Sequence, residues 1–165
     1  MICHEQEWYV KTDRRLDFPK LLTAFQQFFR EHADIWLQGF DYKEAGPQLL
    51  LQAFLQRIIN GGGRISREYA LGRKRTDLLI EWPLDETQGF YGPVQRIVIE
   101  LKLRRKSLEQ TLQDGLQQTA DYADRVDAEE AYLLIFDRDP NRDWESKIWQ
   151  NSHAAGSRNI QVWGC

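Results

Sequence analysis

Apolar positions outline the chain before any residue suggests chemistry. Across 16–37, Leu21, Phe25, Phe28, Phe29 and Trp36 recur at close to helical spacing. Asp17 is placed to cap that segment, and Pro19 falls in the first turn, where a missing amide hydrogen costs little. The pattern predicts a first helix. A second is predicted over 47–59, PQLLLQAFLQRII, which is apolar almost all round, as in a helix covered by neighbours, and is ended by Gly61, Gly62 and Gly63. The period then shortens to two. Ile65, Tyr69 and Leu71 alternate with Ser66, Glu68 and Ala70, and the run TDLLIEW follows the GRKR segment, so the pair reads as a hairpin. A loop holding Pro83, Gly89, Gly92 and Pro93 leads to a third strand over 96–103. Ser107 and Gln110 form a capping box for a helix whose apolar stripe is Leu108, Leu112, Leu116, Thr119, Ala123 and Val126. AYLLIF reads as a short buried strand, DRDPNRD as a turn and 160–163 as a closing edge strand.

This order predicts an α/β chain with a mixed central β-sheet flanked by helices, an αβββαβ core with an extra N-terminal helix. At 165 residues a single domain is expected, with 1–15 as a polar N-terminal extension. No apolar run approaches the roughly 18 residues of a membrane span, and the first residues lack the layout of a signal peptide, so a cytoplasmic location without membrane contact is expected. Cys3 and Cys165 stand at opposite ends, which predicts free thiols rather than a disulfide framework or a zinc site. The formal charge of −3 argues against a protein that coats nucleic acid nonspecifically, although the charge of one face matters more. GGGRIS lacks the P-loop pattern, so nothing supports ATP binding, and there is no internal repeat.

Chemistry is concentrated in IVIELKL. There Ile97, Ile99, Leu101 and Leu103 point one way, while Val98, Glu100 and Lys102 point the other. Charges within so apolar a strand are costly unless they neutralise each other or bind something else, such as a divalent cation. Asp77, at the start of the preceding strand, is placed to approach Glu100 across the sheet. At about 4 Å two carboxylates repel by roughly 4 kcal/mol at an effective dielectric of about 20, a cost that magnesium with oxygen ligands removes. Metal-activated water, stabilised phosphate charge and a lysine beside them make up phosphodiester hydrolysis chemistry.

The aspartate of RTD followed by Glu100-Leu101-Lys102 on the next strand resembles the PD-(D/E)XK signature of the restriction-endonuclease-like nuclease superfamily; Thr76 stands where the family has proline. Gln118 and Tyr122 share one flank of the last long helix, opposite Gln117, and resemble the Q-x-x-x-Y motif that lines the site or touches substrate in exonuclease-like members. More narrowly, YKEAGPQLLLQAFLQRIINGGGRI, REYALGRKRTDLLIEW, the E-x-K strand, QTADY and VWG resemble the nuclease-like C-terminal domain of bacterial AAA-ATPase-like proteins, over nearly everything after residue 15. The resemblance implies a restriction-endonuclease-like core and a magnesium- or manganese-dependent deoxyribonuclease. Asp77, Glu100 and the Leu101 carbonyl would hold metal, with Glu44 as a further ligand, and Lys102 would position the hydrolytic water. It also implies nucleic acid, DNA first, and an AAA-ATPase-like domain or partner. No such domain precedes the nuclease-like segment here, which leaves either an independent unit or a piece of a longer protein.

Each feature also has a plainer explanation. Glu100 and Lys102 form a structural ion pair, Glu44 complements a helix N-terminus, and Gln118 and Tyr122 satisfy one another at the edge of a core. Arg64, Arg67, Arg73, Lys74 and Arg75 before Asp77, with Arg104, Arg105 and Lys106 after Lys102, place positive charge near the site for a phosphate backbone, Arg73 and Arg75 foremost, or simply a solvated face. His4, His32 and His153 lack metal spacing; Asp137, Asp139 and Asp143 suit a turn; Trp36, Trp82, Trp149 and Trp163 suit the core. The alternative function is a noncatalytic nuclease-fold module, nucleic-acid-binding or regulatory, attached to an ATPase-like partner. Sequence leaves open DNA or RNA, strandedness, cutting mode and oligomeric state.

Overall fold

The computed structural model describes residues 8–39, 45–68, 77–104, 107–139 and 141–165. Helix α1 spans Phe18–Gly39 and α2 Ala45–Ile59; strands β1 (Arg64–Glu68), β2 (Asp77–Pro83) and β3 (Val94–Leu103) follow, with one 3-10 turn at Gly89–Tyr91. Helix α3 (Leu108–Val126), β4 (Glu130–Phe136), the short α4 (Trp144–Lys147), β5 (Trp149–Ala155) and β6 (Arg158–Gly164) complete the chain. The six strands form one mixed sheet in the order β1-β2-β3-β4-β6-β5. β1, β2 and β3 pair antiparallel, β3, β4 and β6 run parallel, and β5 returns antiparallel to β6. The long crossover from β3 to β4 is α3, as a parallel connection requires.

Strand alternation divides the interior into two layers. Leu78, Ile80, Ile97, Ile99, Leu134 and Phe136 face one layer with α1 and α2 residues such as Leu21, Phe25, Leu51 and Leu55. Leu79, Val98, Leu133 and Ile135 face the other with Leu116, Ala120, Tyr122 and Ala123 of α3. The sheet is therefore flanked by helices on both faces. Asp17 caps α1 through Lys20 N at 3.3 Å, and Ser107 caps α3 through Gln110 N at 3.1 Å. The side chain of Gln110 turns instead to Asp114, so only half of the capping box forms.

Two expectations are corrected. α2 is not covered all round: Pro47, Leu50, Leu51, Leu55 and Ile59 are buried, while Leu49, Ala53, Gln56 and Arg57 are exposed, because α2 lies over one edge of the first layer. β6 is an interior strand rather than an edge, since β5, which the sequence pattern does not announce, pairs along its outer side. Residues 8–16, most of them in the polar N-terminal extension, are tied to the sheet. Gln95, fully buried, accepts from Leu16 N at 2.8 Å and donates to Leu16 O at 3.3 Å and Glu130 Oε2 at 2.6 Å; the Trp82 indole donates to Arg14 O at 2.9 Å. Leu16 itself is fully buried, so this segment is stitched to the sheet. Gly63 ends α2 where a Cβ would lie 2.7 Å from Glu81 O and 2.8 Å from the Trp82 ring, so the chain turns into β1 against the sheet itself.

No helix among the described residues is long and apolar enough to cross a membrane. Trp82 and Trp163 are buried in the first layer and Trp149 packs against the second; Trp36 lies where side chains are outside the described set.

Candidate active site

The ladder of β2 and β3 places Asp77 and Glu100 directly opposite each other. Opposed residues of an antiparallel pair hold their Cα atoms about 4.5–5.5 Å apart, with side chains on the same face. Leu79 and Val98 on that face belong to the α3 layer, so both carboxylates point toward α3. They are 2% and 1% exposed. Two acids thus lie side by side on the face of the sheet that α3 covers, Glu100 level with Leu133 in the middle of β4.

Lys102, two residues along the same face, brings its Nζ to 3.7 Å from Glu100 Oε1 and is 24% exposed. That is an ion pair, yet longer than a hydrogen bond. Neither oxygen of Glu100 accepts a hydrogen bond from any described group. Leaving a buried carboxylate in that state costs several kcal/mol, so the plain reading of a self-satisfied ion pair accounts for only part of the arrangement.

Helix α3 roofs the site. Gly115 is the close-contact point: a Cβ there would stand 2.7 and 2.8 Å from the methyls of Leu133, which is the β4 partner of Glu100. Glycine inside a helix costs about 1 kcal/mol relative to alanine, and here it lets the helix backbone approach the strand beside the carboxylates. One turn on, the Gln118 Oε1 is buried and accepts no hydrogen bond from the described protein. Tyr122 is 1% exposed in the α3 layer, and the Arg125 guanidinium lies 5.4 Å from its ring centre. Gln117 faces outward and donates to Asp121 at 2.9 Å. Gln118 and Tyr122 therefore stand on the sheet side of α3, on the face that carries Asp77 and Glu100.

The remaining candidates divide. The Leu101 side chain packs against the first layer, away from Glu100, so only its main-chain carbonyl is a candidate ligand. Glu44, Arg73, Lys74, Arg75, Thr76, Arg105 and Lys106 lie outside the described residues. Arg64 is not near the carboxylates. It pairs with Glu81 at 2.8 Å, at the far end of a ladder in which Glu68 is the partner of Asp77, and its guanidinium sits 4.3 Å over the Phe90 ring. Asp137 and Asp139 accept from Asp139 N and Asn141 N, as expected of turn aspartates, but Asp137 also takes Arg104 and Arg142. That cluster and Gly115 went unanticipated; a glycine within the otherwise good helical stretch LEQTLQDGLQQ was the available signal.

The donor set suits a hard divalent cation. It offers two buried carboxylates and neither thiolate nor imidazole, which matches magnesium or manganese rather than zinc. Among the described residues no group of three His, Cys, Asp or Glu comes together, and the candidate ligands are the two carboxylates and the Leu101 carbonyl. No family model, no curated protein and no solved structure matches the chain.

Proposed function

We propose that this chain is a metal-dependent nuclease with a restriction-endonuclease-like core, acting on DNA in the cytoplasm, on its own or joined to an AAA-ATPase-like domain. One observation carries the reading: Asp77 and Glu100 are opposed and buried, and neither Glu100 oxygen accepts a hydrogen bond. Such a pair is costly alone and sensible around a cation.

In this reading Asp77, Glu100 and the Leu101 carbonyl hold magnesium or manganese. When bound, the ion supplies an acidified water and a counter-charge for the phosphate. Lys102, partly exposed beside Glu100, orients the attacking water and offsets negative charge as it develops on the phosphoryl oxygens. Gln118 and Tyr122 close the α3 side and fix the position of the substrate. The mixed sheet with α3 crossing from β3 to β4 is compatible with the superfamily core, and the E-x-K strand lies at its centre.

Titration of magnesium or manganese into wild type and Asp77→Ala by calorimetry, with cleavage of mixed single- and double-stranded DNA in parallel, tests this. Binding and cleavage, both lost in the variant, establish the nuclease. Absence of both from wild type defeats it and leaves a noncatalytic nuclease-fold module as the better account.

A further inference from the structure

Beyond Lys102, the site face of β3 continues into a second cationic group. β3 ends at Leu103, but Arg104 N still donates to Phe136 O at 2.9 Å, so the ladder and its alternation extend one residue further. Glu100, Lys102 and Arg104 then lie on one face at steps of about 6.6 Å. Alternation along β4 agrees independently. Leu133 and Ile135 face α3, so Asp137 does too, and Arg104 meets it with NH1 3.3 Å from Oδ2. Arg142 Nε lies 2.6 Å from the same Oδ2 as an ion pair without hydrogen-bond geometry, and Arg142 NH2 lies 3.9 Å from Asp139.

Asp137 is 9% exposed along its side chain, while Arg104 and Arg142 are 22% and 36% exposed. The carboxylate is the inner partner, and the guanidinium groups reach from it toward solvent. Asx-type bonds from Asp139 N to Asp137 Oδ1 at 3.0 Å and from Asn141 N to Asp139 Oδ1 at 2.9 Å fix the loop that carries Arg142. A guanidinium has five N–H donors, of which Arg104 gives one to Asp137. Arginines already held in place lose little side-chain entropy on meeting an anion, and their planar fork matches phosphate oxygens.

We propose that Arg104 and Arg142, braced by Asp137, form a backbone-phosphate subsite for the substrate strand. It begins four residues from Glu100, about 13 Å along the strand, or roughly four nucleotides of duplex rise from the scissile phosphate. This rests on the nuclease reading above and adds the direction in which the substrate leaves the carboxylates, across the ends of β3 and β4 toward the 137–143 loop.

Fluorescence anisotropy of labelled single- and double-stranded DNA, without divalent ion and over a range of potassium chloride concentrations, tests the subsite. Arg104→Ala should weaken binding about tenfold at low salt and reduce the slope of log K against log salt by about 0.9 on duplex or 0.7 on single strands. Arg142→Ala should do the same in lesser degree, and Arg104→Lys should restore the slope but not the full affinity. A purely structural role for the cluster would lower the melting temperature of these variants and leave the slope at its wild-type value, which overturns the subsite alone. If wild type binds neither form of DNA, the nucleic-acid reading and the subsite fall together. Should Arg104→Ala fail to fold, the slope of Arg142→Ala decides.

Discussion

Asp77 and Glu100 face each other across the β2–β3 ladder, both buried, and Lys102 brings its Nζ to 3.7 Å from Glu100 Oε1. The consequence is electrostatic. Neither Glu100 oxygen accepts a hydrogen bond from any described group, so Glu100→Gln should stabilise the ion-free protein by on the order of 1 kcal/mol while removing any stabilisation by magnesium. Urea unfolding of both proteins, with and without magnesium, measures this. A variant less stable in chelator and still stabilised by magnesium would show that the acids do not share an ion.

Gly115 sets the height of α3 over the site. Gly115→Val drives a branched side chain into Leu133 and should cost on the order of 2 kcal/mol, the usual range for overpacking. Cleavage should fall further than stability explains, because Gln118 and Tyr122 move with the helix. Unfolding free energy and kcat measured on the same sample separate the two effects.

Gln118 carries a buried amide oxygen that accepts no hydrogen bond from the described protein. Gln118→Leu should therefore leave stability within about 0.5 kcal/mol, since no bond is lost and a desolvated polar group is removed. If the side chain contacts substrate, kcat/KM falls about tenfold. Loss of stability with full activity would assign Gln118 to the core instead.

Gln95 is the clamp between the N-terminal segment and the sheet. Gln95→Leu strands Leu16 N, Leu16 O and one oxygen of Glu130, and should cost about 2–4 kcal/mol, the penalty for more than one buried unpaired group. Thermal melting provides the check, and a change under about 0.5 kcal/mol would mean that the segment is not integral to the domain.

Alkaline pH should weaken the fold. Burial first, then the carboxylate of Glu130, pushes the Tyr132 phenol above its ordinary 10.0, and burial pushes the Cys165 thiol above its ordinary 9.0. In both cases the folded state keeps a proton that the unfolded chain releases. Their contribution is complete below pH 9.0, declines from there as Cys165 ionises in the unfolded chain, and declines more steeply above 10.0 as Tyr132 follows. Urea unfolding between pH 8 and about 11 should show this fall, with Cys165→Ser flattening its onset and Tyr132→Phe its upper part. Unchanged slopes in both variants would place the alkaline sensitivity elsewhere.

How legible this was in the sequence depended on how strongly each face is buried. IVIELKL alternates because one side of β3 meets the α1–α2 layer and the other meets α3, so the placement of Glu100 and Lys102 on one face could be read directly. Asp77 was legible as a neighbour of Glu100 because an antiparallel pair fixes who stands opposite. β5 was not. In WQNSHAA, residues Gln150, Asn151, Ser152 and Ala154 are exposed, and its strand state comes from pairing with β6 rather than from an apolar pattern. α2 misled for the opposite reason: leucines run on past the buried face, and Leu49 remains 55% exposed. Arg64 was misassigned because nearness in sequence to Asp77 hides a ladder that carries it to the other end of the hairpin.

β3 has a paired neighbour along both sides, β2 on one and β4 on the other. Amides in such a strand exchange with solvent only when the whole domain opens. Glu100 and Lys102 should therefore belong to the last part of the molecule to come apart. Deuterium uptake at the β3 amides and the loss of the site on heating should report one and the same event.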